Sequence, residues 1–289
     1  MPEPAFLHSI VELHWGFTVR QLGASAAQLA YPLPPPPSVV GAFANPLARL
    51  LGLGEEVDPR RGPAAGRVME CALRATIAAG AGLEPSGPRG VGVVVYAEPS
   101  RIAAALYKTG GDYSNAIRQP PYLAADRLLP VQAAGSASAP GARLALAWLV
   151  DVEKLSSCLQ ARVGLAELGE AAWWVYRVGS REGLAAALEA GVAGPGEVEV
   201  VEEGGVFESI LYQPARCARP APGSQVVRVN LYGRTYREEA YLAPTPAGGP
   251  SGLAPPPSPA GYVLTSTCRA ARPRGRGTLS LSFESRLWG

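Results

Sequence analysis

From residue 7 to residue 19 the odd positions are Leu7, Ser9, Val11, Leu13, Trp15, Phe17 and Val19, all apolar but one. The even positions carry His8, Glu12, His14 and Thr18. A period of two over this length predicts a long strand with one buried and one open face. After a polar loop (20–28), residues 29–52 read LAYPLPPPPSVVGAFANPLARLLG. Val39, Val40, Phe43, Leu47, Leu50 and Leu51 recur there at helical spacing, predicting a helix near 38–51 that Gly52 stops. Pro46 removes a backbone hydrogen bond inside it and predicts a kink. The prolines before the helix fix φ, and Pro37 and Ser38 stand where a first-turn proline or cap belongs. Gly41 and Ala42 keep the first turn bare. That suits either an open, anion-accepting helix N-terminus or close packing of the helix on a sheet.

A second strand is predicted at GVGVVVYAE (90–98), apolar enough to be buried on both faces. A third is predicted at 142–152, where Leu144, Leu146, Trp148, Val150 and Val152 share a face. The segment between them, 99–141, is far too long for a hairpin loop and reads as a projecting insertion. A helix follows near 154–168, with Leu155, Cys158, Leu159, Val163 and Ala166 on one side. WWVYRVGSREGLAAALEAG (173–191) reads as a short strand, a Gly-Ser turn and a short helix capped by Ser180 and ended by Gly191. Beyond it come short β runs such as VEVVEE, VVRVNLY and TLSLSFESRLW, separated by Pro/Gly loops. The order β, α, β, insertion, β, α, β is the split βαβ arrangement. The expectation is an α+β, ferredoxin-like (RRM-like) domain over 1–195, including the insertion 99–141, and a β-rich C-terminal region over 196–289.

Composition changes this picture little: 47% hydrophobic and 17% charged residues describe a globular chain, and 34 Gly with 29 Pro describe many turns. No apolar run approaches the roughly 20 residues of a membrane helix, and MPEPAFLHSI lacks a signal-peptide pattern. A cytoplasmic protein without membrane contact is expected. Charge is more informative in its distribution than in its sum of +2. Residues 216–289 hold ten Arg against three Glu, a local +7, and residues 1–215 hold sixteen Lys+Arg against twenty-one Asp+Glu, a local −5. Such asymmetry suits a polyanion partner or, equally, a solvated basic surface. Cys71, Cys158, Cys217 and Cys268 are scattered, with no C-x-x-C pair. No zinc site is expected, and the thiols are expected to be buried and free.

Catalytic patterns are missing. No G-x-x-x-x-G-K-[ST], dinucleotide G-x-G-x-x-G or G-x-S-x-G elbow occurs. His8 and His14 fall on the expected open face of the first strand, about 20 Å apart at ~3.3 Å per residue, too far to cooperate. No catalytic residue, cofactor or metal is therefore assigned. RNA binding needs guanidinium groups for phosphates and exposed aromatics for stacking. Three stretches hold that mixture: RVNLYGRTYR (228–237), CRAARPRGRGT (268–278) and DYSNAIRQPPY (112–122). Each is also compatible with a solvated strand or loop face.

YPLPPPPSVVGAFANPLARLLG, after a long first strand and a polar loop, resembles the start of the CRISPR-associated Cas-five proteins. YRVGSREGLAAAL (176–188) resembles the R-x-G-S-[KR]-E-S-[LV] segment of archaeal, type I-A members, with Gly183 in place of the usual serine. The resemblance implies a RAMP-superfamily subunit of the Cascade antiviral complex. Such a subunit holds the 5′ handle of CRISPR RNA and caps a filament of Cas-seven-type backbone subunits. The insertion would correspond to the family's thumb. In one other subtype the family member cleaves precursor RNA with tyrosine, lysine and histidine. Lys108 here lies between Tyr107 and Thr109, with no histidine beside it. The resemblance therefore implies a noncatalytic role, with a metal-independent endoribonuclease acting on repeat RNA as the alternative. On chemistry and motif position the candidate RNA contacts are Arg20, Gln21, Tyr31, Ser38, Gly41, Arg177, Ser180 and Arg181. Arg118 in the insertion and Arg272, Arg274 and Arg276 near the end complete the set.

Overall fold

The computed structural model describes residues 4–14, 17, 19, 31, 33–53, 67–84, 100–103, 130–133, 143–179, 183–235, 237–244 and 258–288. In chain order the first elements are β1 (Pro4–Leu13), α1 (Pro36–Leu50), α2 (Arg67–Ala75) and β2 (Thr76–Leu83). Then come the paired short strands β3 (Ser100–Ala103) and β4 (Pro130–Ala133), and β5 (Arg143–Asp151). The helices α3 (Val152–Leu159) and α4 (Leu165–Trp173) lead to β6 (Ala185–Ala193). β1, β2, β5 and β6 make an antiparallel sheet in the order β2-β5-β1-β6. With its helices after β1 and β5, this is the α+β, ferredoxin-like arrangement.

Both faces of this sheet are covered, which corrects the expected open face of the first strand. Leu7, Val11 and Leu13 pack with Val39, Phe43 and Leu47 of α1, Leu155 of α3 and Leu168 of α4. On the opposite face Phe6, Ile10, Ile77 and Leu149 pack with Ile210, Leu211, Leu281 and Phe283. The second layer comes from the C-terminal region, which no local pattern in β1 announces. His8 is accordingly buried, and only His14, just past the strand, is exposed.

Among the described residues three small antiparallel sheets build that region. β7 (Val198–Val201) pairs with β14 (Cys268–Pro273), which pairs with β15 (Leu281–Glu284). β8 (Val206–Ser209) and β10 (Ala218–Pro220) flank β13 (Ala260–Leu264). β9 (Gln213–Pro214) and β11 (Val226–Tyr232) flank β12 (Glu238–Pro244). The region docks on the outer edge of β2, where the Tyr212 N–H donates to the Ala81 carbonyl at 3.1 Å. The alternating glycines of β2 permit this approach, since a Cβ at Gly82 would overlap the Ile210 carbonyl.

Several local expectations change. The predicted strand 90–98 lies outside the described residues, and the second strand of the sheet is β2, preceded by the unpredicted α2. The single helix expected over 154–168 is two helices, α3 and α4. The helix expected to end at Gly191 is the edge strand β6. Its Ala-rich sequence favours helix locally, but pairing with β1 overrides that preference. The thiols are not free: Cys71 of α2 bonds Cys158 of α3, and Cys217 bonds Cys268, with Cα separations of 5.5 and 5.3 Å. Spacing could not reveal these pairs because 87 and 51 residues separate the partners.

Candidate nucleic-acid interface

The proline run does not make an open anion site. α1 begins at Pro36, so prolines fill its first two positions and remove two N–H donors. The Ser38 and Val39 N–H groups both donate to the Pro35 carbonyl, at 2.8 and 3.1 Å. Prolines 34–37 are buried, and the Tyr212 hydroxyl donates to the Pro34 carbonyl at 2.8 Å. Gly41 faces the Met69 side chain of α2, 3.7 Å from where its Cβ would stand. Close packing is therefore what this stretch achieves. Tyr31 is buried too, edge-on to Tyr232 with ring centroids 5.4 Å apart, so it presents no stacking face. Burial, then Tyr232, raises its phenol well above the ordinary range.

The basic tail is partly neutralised in space. Arg269 pairs with Glu202 at 2.9 Å, and Glu199 receives both Arg272 at 3.1 Å and Arg274 at 3.8 Å. Arg276 contacts Glu189, and Arg216 reaches Glu239 and Glu284 at 2.9 and 3.0 Å. Glu189, Glu199 and Glu202 belong to the acidic first segment, so folding cancels much of the charge asymmetry read along the chain. Arg234 donates to the Thr76 carbonyl at 2.6 Å, tying β2 to the C-terminal region. The cavity beside it, about 50 Å³ and lined by Arg216, Glu239, Tyr241 and Glu284, has room only for water.

One cluster combines exposed aromatics with guanidinium groups. It forms where the C-terminal half of α1 meets the segment after α4. The Arg49 Nη2 donates to the Tyr176 hydroxyl at 3.3 Å, and that hydroxyl donates to Asn45 Oδ1 at 3.2 Å. The Arg49 Nε donates to the same Asn45 oxygen at 3.3 Å. The Cζ atoms of Arg49 and Arg177 lie 5.5 and 5.9 Å from the Tyr176 ring centroid, within cation–π range. A small antiparallel turn fixes Tyr176 and Arg177. The Val178 N–H donates to Gly183 O at 2.8 Å, and the Ala185 N–H to Tyr176 O at 2.9 Å. Beside it, at the end of α4, Trp173 and Trp174 are 52% and 60% exposed. Indole, phenol and guanidinium planes stack on bases, and the guanidinium groups also take phosphates.

Of the residues picked from sequence, Arg177 belongs to this cluster. Tyr31, Ser38 and Gly41 lie in the packed seam around the start of α1, and Arg272, Arg274 and Arg276 lie together at the end of β14 and in the loop after it. Arg20, Gln21, Arg118, Ser180 and Arg181 lie outside the described residues. Asn45, Arg49, Trp173, Trp174 and Tyr176 were missed. The adjacent tryptophans were the available signal, because two large aromatics ending one helix cannot both face its core. Among the described residues no group of three His, Cys, Asp or Glu side chains could hold a metal ion. No described helix is long and apolar enough to cross a membrane.

The whole chain has a counterpart among solved structures. A CRISPR protein from Archaeoglobus fulgidus superposes with a TM-score of 0.55 at 17% identity, covering 97% of this chain and 99% of that one. At that identity the likeness is one of fold, extending through the sheet, the helices and the C-terminal region. No family model matches the sequence, and no curated protein does.

Proposed function

We propose that this protein is a noncatalytic CRISPR RNA-binding subunit of a type I-A Cascade complex, a RAMP protein holding the 5′ handle of the guide and capping a backbone of Cas-seven-type subunits. The observation that carries this reading is a coincidence of two independent signals. The segment YRVGSREG, which resembles a Cas-five motif, supplies Tyr176 and Arg177 to the exposed Arg–aromatic cluster. The full-length likeness in fold to a CRISPR protein supports it. Handle binding needs shape, stacking and backbone contacts, and the cluster offers those.

The test is titration of a labelled repeat-derived RNA with the protein and with Tyr176→Ala and Arg177→Ala, followed by incubation of that RNA with the protein in EDTA. Weaker binding by both variants and an intact RNA are expected. Specific cleavage in EDTA, lost in Lys108→Ala, would replace this reading with the endoribonuclease.

A further inference from the structure

The end of β14 and the loop Pro273–Gly277 that follows it carry three guanidinium groups, of Arg272, Arg274 and Arg276, that two carboxylates hold. Arg272 of β14 faces Glu199 of β7 as a cross-strand partner, with Nε 3.1 Å from Oε2, and Arg274 Nε lies 3.8 Å from the other oxygen of that carboxylate. Glu189 of β6 receives Arg276, and His8 Nε2 lies 3.6 Å from the same carboxylate oxygen. Two backbone donors of the loop are engaged: Arg274 N–H donates to Glu197 O at 2.9 Å and Arg276 N–H to Pro273 O at 3.0 Å. Gly275, at φ +77°, makes the turn that sets Arg274 and Arg276 on either side of it. The charge offered to a ligand here is that of the guanidinium groups, and their side chains are 32%, 72% and 45% exposed for Arg272, Arg274 and Arg276.

We propose that this loop is a phosphate clamp closed by the protein's own carboxylates, and that a nucleic-acid backbone opens it by exchanging for Glu189 and Glu199; its role in guide binding rests on the reading above. Three neighbouring guanidinium groups repel one another when empty, and two carboxylates relieve that repulsion. Because the paired side chains are each about a third or more exposed, salt screens them and giving the pairs up costs little. A phosphodiester backbone returns a charge-assisted, planar-matched partner for each guanidinium, and does so at successive positions along one strand. The ligand class is a flexible polyanion read through its phosphates. Base recognition is left to the cluster around Tyr176.

The experiment compares Glu189→Gln/Glu199→Gln with the parent and with Glu153→Gln/Glu208→Gln, a charge-matched pair of exposed residues away from the loop. Elution salt from heparin and affinity for a labelled oligouridylate are measured, with folding checked by circular dichroism. The clamp predicts later elution than the charge-matched control and a gain in oligouridylate affinity of about fivefold. Adding Arg272→Ala, Arg274→Ala and Arg276→Ala should cancel that gain. A folded Glu→Gln pair that elutes and binds like the charge-matched control overturns the clamp, whatever RNA the protein prefers. A gain on both polyanions with no preference for repeat RNA over a scrambled one leaves the clamp standing and removes the guide-RNA reading.

Discussion

The Tyr212 hydroxyl donates a 2.8 Å hydrogen bond to the carbonyl oxygen of Pro34, joining residues 178 apart in sequence. Through this bond the C-terminal region seals the entry into α1. The prolines that precede α1 are thus the seam between two layers of the fold, and the rigidity they impose holds the helix against the sheet.

Tyr212→Phe removes the donor and leaves the Pro34 carbonyl buried without it. The expected loss of stability is about 1–3 kcal/mol, read from guanidinium unfolding followed by tryptophan fluorescence. An unchanged midpoint would show that the seam is held by apolar packing alone.

Gly82→Ala tests the same junction from the other side. A methyl group there overlaps the Ile210 carbonyl, so the C-terminal region must shift away from β2. A loss of about 1–3 kcal/mol is expected from such overpacking. Gly52→Ala is the comparison, since no atom lies within 4 Å of a Cβ at Gly52 and its cost comes from the backbone at φ +65°.

The two disulfides should leave no thiol for alkylation in the native, non-reduced protein. Replacing Cys71 and Cys158 by Ser releases α2 from α3 and is expected to cost about 2–4 kcal/mol. Thermal unfolding with and without a reductant is the check. Equal unfolding temperatures would contradict a stabilising role.

Burial first, and then the Arg276 guanidinium, hold the His8 imidazole below its ordinary value of 6.5, with Glu189 opposing. Below pH 6.5 the unfolded chain therefore takes up a proton at His8 that the folded protein refuses. Stability is full above that pH and falls as pH drops toward the lower folded value. Unfolding free energies measured between pH 5 and 8 should show this slope, and His8→Gln should flatten it. A slope unchanged in His8→Gln would assign the dependence to other groups.

The sheet was legible where periodicity was strong. β1, β5 and α1 follow from the spacing of Leu7 to Leu13, Leu144 to Val150 and Val39 to Leu47. β6 was not legible, because AAALEA is good helix sequence and only pairing with β1 makes it a strand. The buried second face of β1 was hidden for a related reason, since its cover is contributed by Ile210, Leu281 and Phe283. At the candidate interface Arg177 could be picked from its motif. Asn45 and Arg49 could not, because they meet Tyr176 only across 131 and 127 residues of chain. The arginines of the tail misled by their count: the partners of Arg269, Arg272, Arg274 and Arg276 are Glu189, Glu199 and Glu202, from the acidic part of the sequence that folding brings alongside.

The most direct measurement is sequencing of the RNA that remains bound when the protein is purified from a host expressing a CRISPR array. Short RNAs sharing a repeat-derived 5′ end are expected, with loss of that RNA in an Arg49→Ala/Tyr176→Ala/Arg177→Ala variant that still folds. Protein recovered free of RNA, or carrying RNA of random sequence to the same extent in the variant, would contradict it.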